Sequence, residues 1–541
     1  MTGVIRSAPG NLNLPSECID VNDTVTAHEY TNSVHAPPNL PDDIASLKQL
    51  IVEQHALLYT RQVEIDKLKV QLARLRRVHF GRSSEQLDQS IAQLELSLEE
   101  LEATEALLSH PERAQPPSGR PVRRPLPAHL PREEIVHTPS CICPECGGEL
   151  RRLGEDVSEI LERVPAQFKV VRHVRVKLSC ARCQSIVQAP AAARPIERGI
   201  AGPGLLAHVL MSKYGDHLPL YRQAQIYARE GVDLDRSTLA NWVGASSALL
   251  APLLETLAKH VLSAYALHAD DTPVPVLAPG TGKTKSARLW TYVRDERPWG
   301  GKAEPAVLFR YSPDRKGEHP CAHLRSFSGV LHADGYAGFD QLYRSGKITE
   351  AACWAHARRK FFDIHAANAS PIAAQALERI GALYALEADI RGRAADERCA
   401  QRQARAGPLL EQLHEWLLVS VAKLSKKSEL AGAIRYALTR WSALTRYRDD
   451  GRIEIDNNAA ERALRTVALG RKNYLFAGAD CGGERAATIY SLIGSAKLND
   501  LDPQAYLRFL LERIAQHPIN RVDELLPWRV AAIEPAVRLA A

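Results

Sequence analysis

Leu267-His268-Ala269-Asp270 and Leu331-His332-Ala333-Asp334 spell one tetrapeptide twice, in the runs "YALHADD" (265–271) and "GVLHADGY" (329–336). Each run is short, rich in β-formers and followed by turn-like sequence, so each reads as a strand with an acid at its end. If the two strands are neighbours, both aspartates emerge at one edge of a sheet. Two ionised carboxylates held close in a protein repel, and a cation between them removes the conflict. Magnesium suits such a pair, because it takes hard oxygen ligands and keeps positions open for phosphate oxygens. Asp271 is a second candidate beside Asp270. Adjacent strand residues face opposite sides, so only one of the two can join the site, and the repeated register favours Asp270.

A third acid comes from "EIDNNAAERALR" (454–465). At helical spacing Asn458, Glu461, Arg462 and Arg465 share a face, with Ala459, Ala460, Ala463 and Leu464 largely on the other side. A capped surface helix fits this pattern. So does a helix that brings Glu461 to metal ions, with Arg462 and Arg465 offsetting its charge or contacting DNA phosphates and Asn458 orienting a side chain or water. Asp270, Asp334 and Glu461 together would make a two-metal clamp for in-line phosphoryl displacement, with ions about 3.5–4 Å apart.

Outward from these acids, "ARLWTYVRD" and "AVLFRYS" read as further strands, and "AACWAHARRKFF" (351–362) as a buried strand running into a helix. Residues 365–448 are strongly helical and lie between the strands and the Glu461 helix. The tail from 499 to 541 reads as a helical cap. Upstream, "LYRQAQIYAREGVDLDRSTLANWV" (220–243) reads as helix, turn near Gly231 and second helix with Asp235 as N-cap. It resembles a helix-turn-helix, which would make 199–262 a helical DNA-binding segment; short helical pairs of this kind are equally common in protein cores.

Cys143-Pro-Glu-Cys146 and Cys180-Ala-Arg-Cys183 are paired knuckles within a zinc-binding region at 132–195. Four thiolates favour tetrahedral structural zinc, with Cys141 as a possible substitute ligand. Arg151, Arg152, Arg163, Lys169, Arg172, Arg175 and Lys177 surround them, a density that suits phosphate contacts or a solvated basic face. Residues 111–131 form a basic, proline-rich linker. Before it, Ile44, Leu47, Ile51, Leu58, Ile65, Leu68, Leu72 and Leu75 recur by three and four, interrupted by Gln54 and Arg61, which predicts a coiled coil within 44–110. Residues 1–43 read as disordered.

The chain has 541 residues, enough for several domains, with a net charge of +6 that permits a nucleic-acid partner without demanding one. No apolar run approaches the roughly 20 residues that span a bilayer, and the N-terminus lacks a secretory core. A cytoplasmic protein is expected, its ten cysteines reduced.

"HADDTPV", "LHADGY", "CWAHARRKF", "DNNAAERALR", "GRKNYLFAG" and "YSLIGSAKLN" closely resemble the transposases of the insertion-sequence 66 family, and the likeness runs from about 44 to 528. The resemblance implies a multidomain α+β chain whose ribonuclease-H-like α/β catalytic core (263–498) carries a helical insertion at about 365–450. It implies DDE chemistry on Asp270, Asp334 and Glu461 with two Mg2+ or Mn2+ ions. Here Asp271 stands where the family usually has glutamate. His356, Arg358 and Arg359 would approach the scissile phosphate or the adjacent strand. Partners would be terminal inverted repeats, target DNA, a second protomer through the coiled coil, and accessory proteins of the same element. The rivals are a stand-alone metal-dependent nuclease, which would not join ends, and a non-catalytic DNA-binding regulator, which would not need the acids.

Overall fold

The computed structural model describes residues 125–534 apart from 140–141, 165–166, 279–282, 471–472 and 474–476, and in addition Gln49 and Val537. Residues 1–43, expected to be disordered, residues 44–110 apart from Gln49, expected to hold a coiled coil, residues 111–124 of the linker and Cys141 lie outside the described residues.

Two sheets are present among the described residues. The first holds β1 (Arg132–His137), β2 (Leu150–Val164), β3 (Gln167–Cys180) and β4 (Ile186–Gln188), with β3 between β1 and β2 and β4 paired to one end of β3. The 33 residues between the CxxC pairs are thus a long hairpin: β2 and β3 run antiparallel from Leu150 opposite Cys180 to Val164 opposite Gln167. Phe168 and Val170 at the base of the hairpin enter the main hydrophobic core, and Phe168 meets Tyr227 edge-on at 5.3 Å.

The second sheet has the order β7-β6-β5-β8-β9, from β5 (Ala266–Ala278), β6 (Lys283–Arg294), β7 (Ala306–Ser312), β8 (Gly329–Ala333) and β9 (Ile348–Ala352). β5, β6 and β7 form an antiparallel meander, whereas β8 and β9 run parallel to β5. The two LHAD strands are direct neighbours in matching register, Leu267 opposite Leu331 and His268 opposite His332. The period of two then separates the side chains. Leu267, Ala269, Leu331 and Ala333 enter the main core, and the histidines and acids face the other way.

That core is sealed by helices Pro203–Tyr214 and Arg236–Leu262, by Asp480–Leu498 and by the tail helix Pro503–Arg513. Edge strand β7 would leave N–H groups unpaired, a cost that buried backbone cannot carry. The helix Asp480–Leu498 supplies acceptors: Phe309 N–H donates to Ser491 Oγ (2.7 Å) and Val307 N–H to Ser495 Oγ (3.1 Å). This explains the small and hydroxyl residues of "YSLIGSAKLN", where Gly494 also makes room for Val307.

The two helices expected at 220–243 form, as Leu220–Arg229 and Arg236–Leu262, joined by a turn with Gly231 at φ +81°. Asp235 is the N-cap residue but makes no side-chain cap bond. The second helix differs from a freely presented reading helix. It is 27 residues long, and none of its residues from 236 to 254 is fully exposed, because Leu239, Trp242, Val243, Leu250 and Leu253 pack into the same core as the sheet. Much of segment 199–262 is therefore packed into the core beneath the sheet, and its exposed side chains include Arg222, Gln225 and Arg229 on the first helix and Glu255 and Lys259 late in the second.

The helical insertion begins directly after β9, with Trp354–Asn368, and continues through Pro371–Ile390, Ala395–Gln401, Gly407–Ala422, Glu429–Thr439 and Trp441–Thr445 around its own core. No helix among the described residues is long and apolar enough to cross a membrane.

Candidate active site

Asp270 lies near the middle of the sheet, with Asp271 N–H donating to its Oδ1 at 2.7 Å. Burial, followed by the negative charges of Asp334, Asp271 and Glu461, pushes its carboxyl up to about 7, against the lowering effect of that N–H. Asp334 follows β8 directly. Its Oδ1 accepts from Tyr336 N–H (3.1 Å), and its Oδ2 is 3.7 Å from Arg315. Gly335 comes next because a Cβ there would strike the Arg440 guanidinium, which donates to Gly335 O at 3.0 Å.

Asp271 points to the opposite face and is 1% exposed. Arg288 approaches it at 3.0 Å and Arg315 at 2.8 Å. The sheet's alternation thus distributes the two neighbours: Asp271 is neutralised twice, while Asp270 has no cationic side-chain partner among the described residues. Arg315 also stacks on Tyr336, 4.1 Å from the ring centre, and so spans both sides of the strand pair. Asp271→Ala is expected to lower stability by roughly 2–4 kcal/mol by stranding two partly buried guanidiniums, as read by chemical denaturation.

Glu461 sits in the first turn of the helix Asn458–Gly470, its side chain 42% exposed, with Oε1 3.7 Å from His356 Nδ1. The helix is held to the first acid strand by Asn457, which is fully buried. Its Nδ2 donates to Ala269 O (2.8 Å), its Oδ1 faces His268 Nδ1 (3.2 Å), and its backbone N–H donates to Cys353 Sγ (3.2 Å). Since Asn457 Nδ2 is already a donor, His268 supplies the proton of the shared bond and is the Nδ1–H tautomer. On the neighbouring strand β8, the second LHAD histidine continues the arrangement. Its ring stacks on His268 with centroids 4.5 Å apart, and Glu454 N–H donates to His332 Nε2 at 3.4 Å. Burial lowers the pKa of both imidazoles and keeps them neutral. The repeated tetrapeptide therefore carries both aspartates and the two histidines that anchor the segment launching Glu461.

The insertion braces that same segment. Arg402 makes paired bonds to Glu387 at 2.8 and 2.7 Å and donates to the carbonyls of Tyr447, Asp450 and Ile453, while Arg398 reaches Gly451 O and Glu454. Both arginines are essentially inaccessible to solvent; Arg402 is partnered at all three guanidinium nitrogens, and Arg398 at its two terminal ones with its Nε left without a partner, so most of the cost of burying these charges is met.

The supporting residues divide. Asn458 bonds to Asp456 (2.6 Å) rather than turning toward the acids. With Arg462 it lines a cavity of about 230 Å³ shared with His268, Asp295 and Tyr384. Arg358 and Arg359 line a neighbouring cavity of about 530 Å³ with Phe362 and Asn458. Arg465 is exposed on the helix. Sequence reasoning missed Asn457, His268, His332 and Arg315 as positioning residues. The histidines were signalled by their presence in both copies of LHAD, whereas Asn457 was hidden behind its neighbour Asn458 and Arg315 carried no local signal.

At the hairpin's far end the four sulfurs of Cys143, Cys146, Cys180 and Cys183 converge, with Sγ–Sγ distances of 3.4, 3.4 and 3.3 Å between knuckles. Thiolates about 2.3 Å from a tetrahedral zinc stand about 3.8 Å apart, so the cluster fits that ion with a small expansion. Gly147 takes φ +66°, and a Cβ on Gly148 would press against two of the sulfurs. Several basic residues of this sheet are already paired: Arg152 with Glu155, Lys169 with Glu133 and Lys177 with Asp156. The phosphate-contact reading of that face loses those three charges.

Comparison with known proteins agrees with these parts. Residues 198–485 match the family described as "Transposase IS66 family" and 491–528 the "IS66 C-terminal element". Residues 140–184 match a "zinc-finger binding domain of transposase IS66", and 67–135 a "Transposase C of IS166 homeodomain". The uncharacterized protein y4hP of Sinorhizobium fredii is 43% identical over 489 residues, 85% of this chain and 88% of that protein. The uncharacterized protein y4qI of the same organism is 38% identical over 527 residues, 91% and 97% of the two chains. The chain belongs to the IS66 transposase family.

Proposed function

We propose that this chain cuts phosphodiester bonds at the ends of an insertion sequence and joins the freed 3′-hydroxyl to target DNA, using Asp270, Asp334 and Glu461 on a ribonuclease-H-like core. The observation that carries the reading is the parallel register of the two LHAD strands. It brings Asp270 and Asp334 to adjacent strands, where burial first, and then the charges of Asp334, Asp271 and Glu461, raise the Asp270 carboxyl to about 7. An acid so disfavoured as an anion, with a buried asparagine tying its strand to the helix of the third acid, suits a site completed by divalent cations. The strand order, three antiparallel and two parallel, supports the core assignment.

Magnesium or manganese bound by the three carboxylates would supply Lewis-acid activation of water and of the 3′-hydroxyl. The chain's own groups do the rest. Arg315 restrains Asp334, Asn457 and the two histidines fix the approach of the Glu461 helix, and Arg358 and Arg359 offer charge to a phosphate in the cavity beside that helix. No Ser or Tyr nucleophile is needed. The zinc hairpin and the upstream residues would bind the inverted repeats, the predicted coiled coil would pair protomers across two ends, and accessory proteins of the element would complete the assembly.

Purified protein incubated with element-end DNA and magnesium should give nicks mapped to the element boundary and products joined to target DNA. Asp334→Asn should bind the same DNA with unchanged affinity while cleavage falls at least about a thousandfold. Cleavage at the normal rate by that variant would remove the mechanism, and nicking without joined product would favour a nuclease.

A further inference from the structure

Glu461 has a second set of neighbours. Cys353, His356 and Glu461 each offer one ligand atom, and all three atoms lie within 4.8 Å of one another. The geometry points to a second zinc site here, distinct from the four-cysteine cluster, in which zinc takes the Glu461 carboxylate that the magnesium ions require. Only that last clause rests on the proposed transposase chemistry.

Three observations support the site. First, His356 Nδ1 is buried and has no hydrogen-bond partner, although it sits 3.7 Å from Glu461 Oε1. A buried ring nitrogen left unmatched usually has an explanation, and two ligands on a tetrahedral zinc stand about 3.3 Å apart. Second, Cys353 Sγ accepts the Asn457 N–H at 3.2 Å and occupies the N-cap of the helix Trp354–Asn368. The four-cysteine cluster shows the same device, Arg182 N–H donating to Cys180 Sγ at 3.4 Å. Backbone N–H groups and a helix N-terminus both favour the thiolate that zinc needs. Burial works against them and pushes the metal-free Cys353 thiol up to about 12, so the arriving ion must displace its proton. Third, access is graded. The Glu461 side chain is 42% exposed, the His356 side chain is 32% exposed with its Nδ1 buried, and Cys353 is 1% exposed, so an arriving ion meets the carboxylate first and the imidazole nitrogen and thiol lie beneath it.

The ligand set selects the metal. Sulfur and imidazole favour zinc strongly over magnesium, whereas three carboxylates favour magnesium. Three protein ligands leave a fourth position for water. Glu461 is the single residue common to both sets, so occupation of one site costs the other a ligand. Free zinc would then act as an inhibitor of the strand chemistry.

The test counts metal. Full-length protein with its four-cysteine zinc in place is equilibrated with buffered micromolar free zinc, and bound zinc is measured by atomic absorption. Wild type should hold one zinc more per chain than Cys353→Ala or His356→Gln, and Glu461→Gln should weaken that extra ion by at least about tenfold. His356→Gln keeps the test usable if Cys353→Ala folds poorly. Absence of the extra ion in wild type, or its survival in both variants, overturns the site. Calorimetric titration with Mn2+ reads the shared ligand: the zinc-loaded protein should bind Mn2+ at least about tenfold more weakly than protein lacking the extra zinc, and equal affinity overturns the competition. Asp270→Asn should keep the extra zinc, so failure of the transposase reading leaves the zinc count standing.

Discussion

Asp270→Asn should abolish DNA cleavage and, in the same molecule, make the metal-free fold more stable above neutral pH. The two effects have one cause. Burial and the charges of Asp334, Asp271 and Glu461 raise the Asp270 carboxyl from its ordinary 3.8 to about 7. A raised acid binds its proton more tightly folded than unfolded, so between about pH 4 and 7 stability falls as pH rises, and above 7 the whole penalty is present. A carboxyl raised that far disfavours its anion by about 4 kcal/mol, and partial relaxation makes 2–4 kcal/mol a reasonable expectation. Asparagine keeps the shape and the acceptor for Asp271 N–H but carries no charge. Thermal unfolding in magnesium-free buffer should therefore show wild type and variant alike near pH 4 and the variant more stable at pH 8. In wild type, magnesium affinity should rise about tenfold per pH unit up to 7, because one proton must leave, and then flatten. Stability that falls at pH 8 in the variant would mean Asp270 is an ordinary structural acid. Asp271→Ala must move the opposite way, which separates two carboxylates adjacent in sequence.

Much of this site was legible in the sequence alone. A tetrapeptide that occurs twice fixes a register if its strands pair, and period-two alternation then decides between Asp270 and Asp271 without further information. The five strands and the insertion were readable because their periodicities differ sharply, and the 33-residue spacing of the cysteine pairs fits a hairpin once the strands between them are long. What was hidden depends on long-range contacts. Asn457 touches a strand nearly 190 positions away, and Arg315 reaches across from a connection between β7 and β8. The choice between a DNA-reading helix and a core helix at Arg236–Leu262 could not be made locally. Its sequence satisfies a helix-turn-helix pattern, and only the tertiary packing of Leu239, Trp242 and Leu250 shows it spent on the core. The polar stripe on the Glu461 helix was read correctly as one face but not as a divided one. Asn458 and Arg462 border the cavity at His268, and Glu461 turns to His356.

Removing zinc should dissolve one end of the β1–β4 sheet and leave the other end intact. The base is held by the main core, where Leu161, Phe168 and Val170 are buried against Tyr227 and the helix Pro203–Tyr214. The knuckle end has no such support. Ile142 is 64% exposed and Ile186 63%, and Leu153 is exposed as well. What organises that end is the meeting of four sulfurs and the turns at Gly147 and Gln184, both at positive φ. Structural zinc supplies folding free energy on the order of 10 kcal/mol in small domains, far more than the few apolar contacts available here. Chelation, or Cys180→Ser, should therefore raise amide exchange by several orders of magnitude across 142–157 and 174–188, while exchange at 160–170 and throughout the acid-bearing sheet changes little. Cys180→Ser should also retain the stability of the acid site and lose end-DNA binding, since the hairpin's tip is the part that reaches away from the core. Uniform loss of protection along the hairpin would mean that the base depends on the tip, and that its packing against Tyr227 contributes less than the burial indicates.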